Sequence, residues 1–128
     1  MKILESDVIM FHTYEKGVKI VCGPTFFDVC TTLKLPWETD SDAKYFGYVQ
    51  VLDGIVYIFL KDDSTRLTIL HECVHAINSI YSMIGADIDP DNDEIYVRDV
   101  SWLQEQVLTL FEQHINDVAL EEAKDLGK

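Results

Sequence analysis

Six consecutive residues, Ile55-Val56-Tyr57-Ile58-Phe59-Leu60, are apolar or aromatic, and they stand directly after Asp53-Gly54. β-Branched and aromatic side chains favour a strand, and a strand without polar alternation is buried on both faces or lies against a helix. Asp-Gly between this run and the run Tyr45–Val51 predicts a hairpin with a tight turn. Lys61-Asp62-Asp63-Ser64 then supplies a turn, with Asp63 or Ser64 as the expected N-cap of a helix over Thr65–Ile84 that stops at Gly85. At about 100° per residue, Leu67, Leu70, Val74, Ile77, Tyr81 and Ile84 form the expected core seam of that helix. Thr68, His71, Glu72, His75, Asn78, Ser79 and Ser82 fall on the opposite, polar arc.

Inside that arc stands His71-Glu72-Cys73-Val74-His75. Two histidines four apart on a helix share a face, so both imidazoles can reach one Zn²⁺, and Glu72 beside them can take a proton from the attacking water. Two side chains hold zinc weakly, and a catalytic site usually has three protein ligands. Glu94, 19 residues after His75, opens the next helical pattern and is the expected third ligand. If Glu94 pairs instead with Arg98 four residues on, Asp87, Asp89 or Asp91 could supply the carboxylate. Cys73 is two positions from either histidine, which turns its thiol to another face.

The rest of the chain reads as one domain of 128 residues, large enough to bury a core without disulfides. Val8–Phe11 and Val18–Cys22 flank Glu15-Lys16-Gly17, consistent with a first hairpin. A short helical period over Phe26, Phe27, Cys30, Leu33 and Leu35 ends before Pro36, and residues 37–44 are polar and expected to form a loop. After Gly85–Asp91, capped by Asp91 or Asn92, a second helix is expected to about Ile115. Its apolar face carries Val97, Val100, Val107, Leu108, Phe111 and Ile115, with Trp102 and Leu103 beside it. Residues 121–128 are charged and expected to fray. His114, about 30 Å along this helix from Glu94, is expected at the surface or an interface. The fold class is α+β: a small sheet packed on the motif helix, with a long second helix closing a cleft.

A net charge of −13 argues against direct binding to nucleic-acid phosphates and leaves a basic protein as a possible partner. Such acidity could also let the surface imitate DNA and occupy a DNA-binding protein. No run has the apolar length of a membrane span, and Glu5 and Asp7 interrupt any signal-peptide core, so a cytoplasmic protein is expected. Cys22, Cys30 and Cys73 include no C-x-x-C pair and read as buried free thiols.

From Ile55 to Ile115 the chain resembles the gluzincins, zinc metallopeptidases in which H-E-x-x-H on one helix is completed by a glutamate on the next. It is most similar to minimal single-domain forms of the kind encoded by tailed bacteriophages and bacteria, for which the compartment would be the host cytoplasm. The resemblance implies His71, His75 and Glu94 as Zn²⁺ ligands, Glu72 as general base, and peptide or protein as substrate. Two departures stand out. Tyr81 occupies the position where metzincins place a third histidine, and Arg98 stands where thermolysin-like members carry an aspartate that orients a ligand histidine. Asp91 and Asp99 are the candidate substitutes for that aspartate. His12, Tyr81 and Tyr96 are candidates for stabilising the tetrahedral intermediate. The expected activity is zinc-dependent hydrolysis of amide bonds. Its rivals are a zinc-bound domain without turnover and an acidic interaction or inhibitor protein.

Overall fold

The computed structural model describes residues 1–88 and 93–127. Strands β1 (Leu4–Glu5), β2 (Ile9–Phe11) and β3 (Lys16–Gly23) are followed by helices α1 (Phe26–Leu33) and α2 (Ser41–Lys44). Strands β4 (Tyr48–Leu52) and β5 (Ile55–Lys61) then lead into helices α3 (Arg66–Ile84) and α4 (Asp93–Leu126). The chain is therefore mixed α and β, with a small sheet and a long C-terminal helix. No helix among the described residues is long and apolar enough to cross a membrane.

The sheet runs β1-β3-β5-β4, with β2 also paired to β3. β3 and β5 are parallel and the other pairings antiparallel. In the parallel register Val18, Ile20 and Cys22 stand beside Val56, Ile58 and Leu60. These six side chains face the core shared with α3 and α4, where Ile69, Cys73, Ala76, Ile77 and Ile80 meet Val100, Leu103, Val107 and Phe111. Alternation turns Val21 and Phe59 to the other face, under Phe26, Val29 and Cys30 of α1. The unbroken apolar run is thus covered on both sides, which is what keeps it out of water.

The expected hairpin at Asp53-Gly54 is present. Both residues have positive φ (51° and 77°), and Leu52 pairs with Ile55, as a two-residue type I′ connection requires. The first hairpin also forms, but its turn spans 12–15 rather than 15–17, because Glu15 takes the left-handed conformation (φ 53°) and frees Lys16 and Gly17 to join β3. Residues 41–44 form a helical turn, not only a loop. It has a purpose: the Asp42 carboxylate accepts from the backbone N–H groups of Phe26 (2.6 Å) and Phe27 (3.1 Å), satisfying the open end of α1.

α3 keeps its expected length, but Thr65 caps it in place of Asp63 or Ser64: its Oγ1 accepts from Thr68 N at 3.2 Å. Gly85 closes it at φ 70°, with Ala86 N–H bonding back to Tyr81 O. The core seam is rotated from the expected one. Ile77 and Tyr81 of the expected seam are buried, but their companions are Ile69, Cys73, Ala76 and Ile80, whereas Leu67 is 78% exposed and Ile84 also reaches solvent. Apolar residues nearly encircle this helix, so size alone does not select the buried face; the small Cys73 and Ala76 face the sheet, where the helix must come close. α4 runs past Ile115 to Leu126, through good helix formers, and Glu121 meets the N-terminal amine at 3.1 Å. The expected caps Asp91 and Asn92 lie outside the described residues.

Candidate metal centre

Burial of Cys73 and Ala76 on one side of α3 leaves His71 and His75 exposed on another, one turn apart. Their Nε2 atoms stand 3.0 Å apart. Two nitrogens bound to one tetrahedral zinc stand about 3.3 Å apart, so the imidazoles already converge on one point. Glu72 lies beside them but is buried, and the three groups present ligand atoms within 4.8 Å of one another. Nitrogen and carboxylate donors in this spacing fit a borderline divalent ion such as zinc. Burial pushes the Glu72 carboxyl above the usual glutamate range, an effect that His71 and His75 partly offset. A carboxylate of raised proton affinity is suited to accept a proton.

His71, Glu72, His75, Asn78, Ser79 and Ser82 form one wall of a cleft of about 520 Å³, faced by Tyr45, Gly47, Tyr48 and Val49. A second opening on the other side of Glu72 adds Phe46 and Leu67, both largely exposed. Gly47 packs directly against the base. A Cβ there would stand 3.0 Å from Glu72 Cγ and 3.2 Å from the Phe59 carbonyl oxygen. Because the carbonyl cannot yield, Gly47→Ala is predicted to displace Glu72. We expect a loss of about 1–3 kcal/mol in stability and at least a tenfold loss of hydrolytic turnover with metal content unchanged, measured by thermal unfolding, peptide kinetics and metal analysis. Normal turnover in Gly47→Ala would remove Gly47 from the site. Nothing in the sequence marks Tyr45, Phe46 or Leu67 as site residues, whereas Gly47 carries a signal, since a glycine inside an aromatic strand-like run indicates close approach.

Glu94 is not brought to the histidines. It lies exposed in the first turn of α4, outside the cleft wall and outside the three-residue group. The reason is register. α3 and α4 run antiparallel with Gln104 bonded to Leu70 and Tyr96 to Asn78, so Glu94 stands beside the last turns of α3, roughly 7 Å along the axis from His75. Among the described residues Glu94 and Arg98 form no ion pair. Asp87 is also exposed and outside the group, while Asp89 and Asp91 lie outside the described residues.

Asp99 does not support either histidine; it accepts from Tyr14 (2.6 Å) and Tyr81 (2.7 Å) at the far side of α3. Tyr81 is therefore committed elsewhere, and burial together with Tyr14 and Asp99 raises its phenol well above the usual range. His12 lines a separate cavity with Tyr14, Arg98 and Trp102. Of the three candidate stabilisers only Tyr96 reaches the rim, where it donates to Asn78 Oδ1 at 2.7 Å. All three cysteines are buried free thiols, as expected, and burial pushes Cys73 up to about 12. His114, expected at the surface or an interface, is 2% exposed within the chain itself: the α4 stripe of Val100, Leu103, Val107 and Phe111 continues into it.

No family model, curated protein or solved structure matches the chain.

Proposed function

We propose that this chain is a zinc-dependent hydrolase of peptide bonds, similar in type to the minimal gluzincins. The observation that carries the reading is the 3.0 Å convergence of the His71 and His75 Nε2 atoms beside a buried Glu72 in an open cleft. His71 and His75 would hold Zn²⁺, which supplies Lewis acidity toward a carbonyl and lowers the pKa of water. The Glu72 carboxylate takes the proton from the attacking water and returns it to the departing amine nitrogen. β4 ends the sheet order, and its outer edge borders the cleft at Tyr48 and Val49. An extended peptide can pair with that edge, main chain to main chain, and so lie across Glu72. Phe46 and Leu67 offer an apolar rest for one of its side chains.

Glu94 is the proposed third ligand, from its position in the sequence. Reaching the histidines requires the first turn of α4 to draw toward His75. Its displacement favours a second reading, in which the histidine pair binds metal without turnover. Metal titration separates the two. Glu94→Gln is expected to weaken zinc binding at the histidine pair by at least about tenfold if Glu94 ligates, measured by competition with a chelator of known affinity. Unchanged affinity would take Glu94 out of the site.

A further inference from the structure

Cys22, near the end of β3, meets Asp62, just after β5, and His114 of α4 at a point away from the H-E-x-x-H cleft. Asp62 N–H donates to the Gly23 carbonyl at 2.8 Å, which fixes the aspartate at the ends of the two parallel strands. Its Oδ1 lies 2.8 Å from His114 Nε2 and 3.5 Å from Cys22 Sγ. The three ligand atoms all lie within 4.8 Å of one another. Sulfur and oxygen ligands of one tetrahedral zinc stand about 3.5 Å apart, and nitrogen and oxygen about 3.3 Å. The sulfur–oxygen distance already matches, and the imidazole nitrogen needs to stand off from the carboxylate by about half an ångström.

Burial and charge single out this trio further. Cys22 is fully buried and His114 is 2% exposed, while the Asp62 side chain keeps 22% of its surface and gives an ion a way in. The negative charges of Asp62 and exposed Asp63 lie beside Cys22. The adjacent cation does not relieve that charge: Lys61 Nζ points to the Asp42 carbonyl oxygen (3.4 Å) and over the Phe26 ring. A thiol, an imidazole and a carboxylate at one point, with excess negative charge beside them, form a donor set for a borderline-soft divalent cation.

We propose that Cys22, Asp62 and His114 form a second metal site, separate from the histidine motif, whose ion ties α4 to the ends of β3 and β5. On binding, Cys22 Sγ releases its proton to solvent as the sulfur–metal bond forms, the proton held between His114 Nε2 and Asp62 Oδ1 leaves Nε2 so that the imidazole, protonated on Nδ1, binds through it, and Asp62 binds as the carboxylate. Water fills the remaining position on the open side of Asp62.

Cobalt(II) tests this, because a thiolate ligand gives a sulfur-to-cobalt charge-transfer absorption that histidine and carboxylate ligands do not. Co²⁺ is titrated into the full-length chain, both native and during refolding. The expected result is a charge-transfer band that is lost in Cys22→Ser, persists in Cys30→Ser and Cys73→Ser, and saturates at one equivalent in the His71→Ala/His75→Ala double variant, where no metal is drawn to the histidine motif. Asp62→Asn, a same-size change at a partly exposed position, should weaken the band's apparent affinity at least tenfold, which keeps the test open if Cys22→Ser does not fold. No band in folded wild type at saturating Co²⁺, or a band that survives Cys22→Ser, would overturn the proposal and leave the trio as a hydrogen-bonded anchor. Failure of the peptidase reading would leave the band unchanged, so the two are distinguishable.

Discussion

Glu72→Gln is expected to abolish peptide hydrolysis while the protein stays folded and keeps the metal at His71 and His75. Glutamine preserves the volume that packs against Gly47 but cannot accept the proton of the attacking water. Loss of a positioned general base lowers turnover by about 10²–10⁴-fold. Glu72 is buried, and burial disfavours its charged form, so an uncharged isostere removes a desolvation cost from the fold. Kinetics on any cleaved peptide, with metal content measured on the same sample, checks this. Wild-type turnover by metal-loaded Glu72→Gln would remove the base from the mechanism.

The His71→Ala/His75→Ala double variant carries the second large effect. Both imidazoles are exposed on α3, and surface substitutions of this kind change stability by only about 0.5 kcal/mol. A metal held at the motif would lose both of its imidazole ligands, so its affinity should fall by more than about 100-fold, and hydrolysis should vanish with it. Metal analysis by mass spectrometry against protein concentration should show one bound equivalent fewer than wild type, with the far-ultraviolet circular dichroism unchanged. An unchanged stoichiometry would place the metal elsewhere.

How far the residues themselves announce this arrangement depends on which interaction decides each feature. The β4–β5 hairpin and the end of α3 are legible because Asp53, Gly54 and Gly85 answer local demands for positive φ. The polar wall of the cleft is legible too, since His71, Glu72, His75, Asn78, Ser79 and Ser82 recur at helical spacing. The buried seam of α3 is not, because Leu67, Leu70 and Val74 are as apolar as the residues that face the sheet, and only the sheet and α4 choose among them. Gly47 against Glu72 joins residues 25 apart in the chain, so nothing local marks it except a glycine among aromatics. His114 could have been found by carrying the stripe of Val100, Leu103, Val107 and Phe111 one step further. Spacing from His75 points to Glu94, but spacing does not fix how two antiparallel helices slide along each other.

Cleavage of peptide bonds by the histidine pair and Glu72 with zinc is the proposed activity. It is tested most directly by incubating a diverse peptide library with zinc-loaded wild-type protein and scoring new termini by mass spectrometry. New termini should be enriched for an apolar residue near the cut, absent after chelation and restored by added Zn²⁺. A zinc-loaded, folded protein that produces no new termini above the Glu72→Gln background would contradict it.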